Sequence, residues 1–467
     1  MPLASPYSPE RRTALVLAGT GAHGAYHAGV LRALQEAGVK IDVVAGQGIG
    51  AGGAALAAID GSARLWDEKG IWRKPAVRRL YRWTPSLRIA VWAGLQLNLL
   101  FLFLISLVTL AVAGTVVPAG LWVGVLAVVV GLLVSGIALV ALERRHRPKR
   151  RAQGAWWWRY AGAPVDASSA RELFASTIWE LIRGAAPLPR PERSAVGRRY
   201  SDTLTENLGH PGFAELLLIA TDLDARRDTV AALLREPYRA EFLAPRPDRE
   251  RQSEVLDLTG VARDHAMDVM SAAMTPPLLC EPEAITFAAD SYWRGETHRM
   301  CDRPGAIHRL LEETAAAGVT QAIVVSAVSS VPAPHRLRVP KIDVRGRLGE
   351  FQSGAEAAAL RDALEMARLR FDSIYLISPA HNPIGPFDLA GAYDEASDRR
   401  QEIDELMQRG YEDAYRQFIE PVVGASGDHL GASAAASAAA SVAAGKGATV
   451  PSFAGRDTVF DDPALPD

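Results

Sequence analysis

From residue 89 to residue 142 the chain carries no charged side chain. A helix needs about 20 apolar residues to cross the hydrocarbon core of a bilayer, so this run is long enough for two crossings. Gly114-Thr115-Val116-Val117-Pro118 interrupts it, because proline lacks an N–H and disfavours helix in the residue before it. The pattern predicts a helical hairpin, residues 89–113 and 119–142. The alternative is a helix pair buried in a soluble core. Against it stands the charge at both ends: Arg73, Lys74, Arg78, Arg79, Arg82 and Arg88 before the run, and Arg144, Arg145, Arg147, Lys149, Arg150 and Arg151 after it. Basic clusters on both sides mark cytoplasmic flanks. The expected arrangement is therefore a two-span membrane protein with its main domain cytoplasmic, and the alanine- and arginine-rich composition suggests a bacterial inner membrane. Tyr81, Trp83 and Trp156-Trp157-Trp158 suit an interfacial aromatic belt. Gln96 and Asn98 lie inside the first span, where they could bond to a neighbouring helix or to a second copy of the chain.

Outside the hairpin, residues 13–59 set the fold. Two short apolar, β-rich runs (residues 15–18 and 41–45) each break at glycines and continue into a helix-period run, the grammar of strand, glycine turn, helix, repeated. In open α/β sheets the ligand site forms at such strand ends. The second turn is Gly46-Gln47-Gly48-Ile49-Gly50. Glycines two residues either side of a central position are the frame of a nucleophile elbow, which exposes the central side chain beside backbone N–H donors. Here the central residue is Gly48, and it has no atom that can attack.

The pair of turns resembles the start of a patatin-like phospholipase domain, whose first loop reads roughly GGGxRG followed by GVL and whose second reads GxSxG. The first loop here is Gly19-Thr20-Gly21-Ala22-His23-Gly24, then Ala25-Tyr26-His27-Ala28-Gly29-Val30-Leu31; Thr20 replaces a glycine and His23 the usual basic residue. The resemblance implies an α/β fold with a central, largely parallel sheet in three layers, and a serine–aspartate dyad whose tetrahedral oxyanion is held by the glycine loop. Carried over residue by residue, the oxyanion loop is Gly19, Thr20, Gly21 and Ala22, and the nucleophile position is Gly48. The family's Asp-Gly-Gly turn follows an aromatic pair; Tyr292-Trp293-Arg294-Gly295-Glu296 puts Arg294 in the aspartate's place. Arginine stays protonated and cannot serve as a base. The resemblance thus implies a membrane-anchored pseudoenzyme of lipid metabolism or lipid binding, in which Arg294 and His23 could hold an anionic lipid group.

Three alternatives stand beside it. A displaced nucleophile, Ser271 or Ser291 with Asp290, or with His23 as base, would keep residual acyl hydrolysis. A scaffold would recruit a protein partner and bind no ligand. Gly19-Thr20-Gly21-Ala22-His23-Gly24 also fits the dinucleotide fingerprint GxGxxG, but no acidic residue closes the second strand as that fold requires. His27 is read as a structural helix residue.

The remaining chain reads as an amphipathic helix at 170–182, a proline-rich connection to about 199, a buried strand at 214–224 with Asp222 and Asp224 structural, and a helix at 256–271. Further helices are expected at 308–317, 355–370 and 401–423, and strands at 320–328 and 373–377. The domain bounds follow: a lead-in over residues 1–12, the α/β domain over 13–72 and 160–425, the hairpin with its flanks over 73–159, and an Ala/Ser/Gly-rich disordered tail over 426–467. A net charge of -2 gives no reason to expect nucleic acid. Ten scattered histidines and two cysteines, Cys280 and Cys301, supply neither a metal set nor a disulfide framework, and no cofactor is expected.

Overall fold

The structure is a computed structural model that describes residues 7–146, 162–245, 250–289, 291, 293–329, 344–380, 385–389, 392–394 and 399–424. The chain opens with β1 (Thr13–Gly19), α1 (His23–Glu36), β2 (Val43–Gly48) and α2 (Gly50–Ala58). A short α3 (Ala63–Trp66) and two 3-10 turns lead to β3 (Arg82–Trp83), α4 (Pro85–Val112), α5 (Ala119–His146) and β4 (Val165–Asp166). Next come α6 (Ser168–Arg183), α7 (Arg193–Asn207), β5 (Glu215–Asp222), β6 (Arg227–Leu233), α8 (Tyr238–Leu243), β7 (Ser253–Asp257) and α9 (Ala266–Ala273). The last part holds β8 (Glu283–Thr286), β9 (Thr297–Cys301), α10 (Ala306–Ala316), β10 (Gln321–Ser326), α11 (Val344–Ala367), β11 (Ser373–Ile377), β12 (Ala392–Asp394), β13 (Arg399–Gln401) and α12 (Ile403–Ala414).

The main sheet runs β11-β10-β1-β2-β5-β6-β7. Its first five strands are parallel, and β6 reverses against β5. Strands from before and after the α4–α5 hairpin therefore share one sheet. Buried on both faces, these strands are near-continuous apolar runs, as central parallel strands must be. Leu15, Leu17 and Val44 point to one core, with Tyr26 of α1, Leu56 of α2 and Met270 of α9. Ala14, Val16 and Ala45 point to the other, with Leu310 of α10 and Ala363 of α11. This alternation, helices on both faces, is the expected three-layer α/β arrangement.

α4 and α5 lie antiparallel, Phe103 against Gly124 and Trp92 against Gly131. Both are long and apolar enough to cross a membrane, and most of their surface is unburied. Asn98 bonds back to the Gly94 carbonyl at 2.9 Å. The two ends of the insertion meet in a short ladder, Arg82 opposite Asp166 and Trp83 opposite Val165.

Three expectations are corrected, and one strand was not expected. Residues 7–12 are docked and do not trail: Tyr7 is buried edge-on to Phe418, and Arg12 makes a bidentate pair with Glu215 at 2.8 and 2.7 Å. The proline-rich connection becomes α7 after Arg193, where Val196, Tyr200 and Leu204 supply a buried stripe. The helix expected over 256–271 is β7, then a turn, then α9; Thr259-Gly260 breaks the period. The strand Thr297–Cys301 was hidden by its alternating polar residues. The tail expected over residues 426–467 and residues 1–6 of the lead-in lie outside the described residues.

Candidate functional site

Parallel register places the two glycine turns side by side, with Ala18 opposite Gln47 and Gly19 opposite Gly48. Gly48 has φ 62°, the left-handed conformation that an elbow requires and that glycine adopts without strain. A β-carbon on Gly48 would stand 3.2 Å from Asp302 Oδ2 and 2.2 Å from the Gly19 carbonyl oxygen. Thus the carboxylate beside the elbow is Asp302.

Asp302 directly follows β9, which pairs with the end of β5 through Thr221 and Cys301. Its backbone N–H donates to Thr275 O at 2.9 Å. Asp302 Oδ1 accepts from the Arg303 N–H at 2.7 Å and from Gln47 Nε2 at 3.3 Å. Gln47 also donates to Arg303 O at 2.8 Å, so the residue before the elbow apex holds the Asp302 turn in place. Burial, followed by the nearby charge of Glu356, pushes the Asp302 carboxyl up to about 7.

α11 closes the other side. Glu356 accepts from the Thr20 hydroxyl and from Gln352 Nε2 at 3.0 Å, while Thr20 Oγ1 stands 3.3 Å from Asp302 Oδ2. A hydroxyl has one proton to give. Glu356 and Asp302 therefore compete for the one Thr20 proton. His23 Nδ1 approaches Glu356 Oε2 to 3.3 Å, but neither atom meets hydrogen-bond geometry with any partner. Burial alone would raise the Glu356 pKa; the contacts from His23, Thr20 and Gln352 outweigh it and hold the carboxyl below its usual value. His27 accepts no such role: Nε2 lies 3.1 Å from Ala18 O, and burial, then His23, lowers its pKa to about 3. It is a neutral helix residue.

Two N–H groups of the paired turns are bonded within the chain. Ile49 N–H donates to Gly19 O and Ala22 N–H to Pro386 O, each at 2.8 Å. Pro386 sits so close that a β-carbon on Gly21 would meet its carbonyl oxygen at 1.8 Å. Phe387, next along, is buried edge-on against Tyr81. Between Gly19, Gln47, Pro304 and Glu356 only about 10 Å³ of cavity remains.

Arg294 stands elsewhere. It occupies the exposed β8–β9 turn with φ 46°, and its N–H donates to Ser291 O at 3.1 Å. Glu296 pairs with His298 at 3.3 Å. The Ser291 hydroxyl donates to Ala288 O at 2.6 Å in the same turn, Ser271 is buried in α9, and Asp290 lies outside the described residues. The aromatic pair Tyr292-Trp293 points to Arg294 in the sequence, whereas the carboxyl beside Gly48 is that of Asp302. A signal was present: Cys301-Asp302-Arg303-Pro304-Gly305 ends one strand and opens a helix, as both glycine turns do. Asp222 and Asp224 are structural, Asp222 against His298 at 2.5 Å and Asp224 against Arg299 at 2.8 Å. Cys280 and Cys301 are free thiols, each pushed up to about 12 by burial. Among the described residues no group of three or more His, Cys, Asp or Glu is arranged to hold a metal ion.

The model of the family described as patatin-like phospholipase matches residues 15–256, more than half of the chain. This chain belongs to the patatin-like phospholipase family. Two solved structures overlap the patatin-like chain. VipD from Legionella pneumophila is 12% identical with a TM-score of 0.31, over 90% of this chain and 69% of that one. The type III effector protein ExoU is 17% identical with a TM-score of 0.24, over 78% of this chain and 54% of that one, so the patatin-like chain spans about half its length. No curated protein matches.

Proposed function

We propose that this patatin-like protein is a membrane-anchored pseudoenzyme: α4 and α5 cross the bilayer, the sheet domain lies on the cytoplasmic side, and acyl transfer has been lost. The observation that carries the reading is Gly48 at the elbow apex facing Asp302. The base position is assigned to Asp302, in place of Arg294. The dyad then lacks only its nucleophile, and losing one member of such a unit removes most of the rate. Two further observations support it. The Ile49 and Ala22 donors are occupied by carbonyls of the same chain, and Glu356 and Pro386 pack directly on Thr20 and Gly21 of the first glycine turn.

A closed pocket favours action through the protein surface, at the membrane or toward a protein partner, over lipid binding in the old acyl site. His23 is buried beside Glu356, away from any open surface. A homo-oligomer would form through the hairpin. The test is hydrolysis of phospholipid and of a soluble fatty ester by detergent-purified protein, alongside Asp302→Asn. Turnover that stays with the chain through purification would overturn the reading: abolished by Asp302→Asn it assigns the base to Asp302, and equal in both chains it sends the search to a nucleophile elsewhere.

A further inference from the structure

The two 3-10 turns ahead of the hairpin, Ile71–Arg73 and Pro75–Arg79, lie outside the elbow. They are anchored from below, with Trp72 and Val77 buried and Trp72 edge-on to Phe174. On this fixed backbone stand Arg73, Lys74 and Arg78. They line a cavity of about 270 Å³ together with Glu402 and Asp404, from the start of α12. The Arg73 Nε donates to Trp66 O at 2.9 Å, leaving its terminal nitrogens free. Among the described residues, no ion pair joins the three cations to the two acids or to any other group.

Opposite charges that share a cavity usually collapse into ion pairs where side-chain length allows. Here they come from two separate elements at the cavity's exposed rim, with Lys74 half-buried between Arg73 and Arg78, and no cation comes within 4.0 Å of an acid. A ligand of one sign would meet repulsion from one side. A ligand carrying both signs would satisfy both, with a phosphate against Arg73, Lys74 and Arg78 and an ammonium against Glu402 and Asp404.

We propose that this cavity binds an aminophosphate group, a phosphate ester joined to a primary ammonium, as in the phosphatidylethanolamine headgroup. The membrane reading supplies only the source of the ligand. Arg78 is seven residues before Pro85, where α4 begins, and so stands within about 25 Å of it even in a fully extended chain. That distance keeps the cavity near the headgroup layer.

The test uses the full chain in nanodiscs of equal parts phosphatidylethanolamine, phosphatidylglycerol and phosphatidylcholine, with retained lipids counted by native mass spectrometry. Incorporation is scored first and reports on membrane anchoring alone. Phosphatidylethanolamine should be retained at least tenfold over phosphatidylglycerol. Arg73→Gln with Arg78→Gln should erase that excess, and Glu402→Gln with Asp404→Asn should invert it toward phosphatidylglycerol. The second pair guards against a folding artefact, because it must gain one lipid while losing another. Equal retention of the two lipids by the natural chain, or an excess untouched by Arg73→Gln with Arg78→Gln, would overturn the proposal. Displacement of the lipid by glycerophosphoethanolamine at similar affinity would keep the aminophosphate site and assign it to a soluble ligand; no displacement assigns it to the lipid.

Discussion

Asp302 Oδ2 lies 3.2 Å from where a β-carbon on Gly48 would stand, and the Gly19 carbonyl lies 2.2 Å from the same point. On the proposed reading the carboxylate of the dyad is kept, and the Gly19 carbonyl leaves no room for a side chain at residue 48. Gly48→Ser is therefore expected to destabilise the fold, since it forces the Gly19 turn to shift and puts a side chain at φ 62°. Overpacking of this kind costs about 1–3 kcal/mol. Thermal unfolding should show the loss, and ester hydrolysis should stay at background because the Ile49 and Ala22 N–H groups remain bonded to Gly19 and Pro386. A fully stable, active Gly48→Ser chain would mean that the site opens readily.

The raised pKa of Asp302, about 7, makes a pH prediction. A carboxyl that binds its proton more tightly in the folded state stabilises the fold fully below its unfolded pKa, near 3.8. That contribution is lost as pH rises through about 7. Asp302→Asn imitates the protonated form and should remove this slope. Relative to the natural chain the variant should gain on the order of 2 kcal/mol between about pH 5 and about pH 8, measured by denaturant unfolding at each pH. A constant difference across that window would show that Asp302 is ionised throughout.

How much of this was legible in the sequence varies with the physics of each part. The glycine turns and the hairpin could be read because each obeys a local rule: a β-to-helix period break at Gly19 and Gly48, and an uncharged run long enough for two helices. The partners of the elbow could not. Glu356, Gln352 and Pro386 arrive from hundreds of residues away, and nothing in their own surroundings marks them as groups that cap Thr20 and Ala22. Asp302 was within reach, since β9 runs straight into it, but Trp293 and Arg294 offered a more familiar pattern. Arg12 and Glu215 form a pair only because β1 and β5 flank β2.

That pair gives a stability prediction. Arg12 and Glu215 are both nearly fully buried, with Arg235 adding a second cation to Glu215 at 3.1 Å and the Arg12 guanidinium resting on the Tyr238 ring. Removing one member leaves a buried charge without its partner, a loss of about 3–5 kcal/mol. Glu215→Ala should lower the unfolding midpoint by that equivalent, and a change near zero would show that water reaches Arg12.

The insertion is expected to be separable. Because Arg82–Trp83 and Val165–Asp166 are paired at its base, replacing residues 85–161 by a short Gly/Ser linker should give a chain that folds without detergent. The full chain should resist extraction from membranes by alkaline carbonate, and the shortened chain should appear in the soluble fraction. Release of the full chain by carbonate would place α4 and α5 outside the bilayer.

The central claim, an acyl site that is closed and lacks its nucleophile, is tested most directly by exposing the full chain in nanodiscs to a long-chain fluorophosphonate and measuring its intact mass. The expected result is no adduct, under conditions in which an active patatin-like hydrolase is fully labelled. An adduct mapped to a hydroxyl beside Asp302, and lost in Asp302→Asn, would contradict the account and identify Thr20 as the group to examine next.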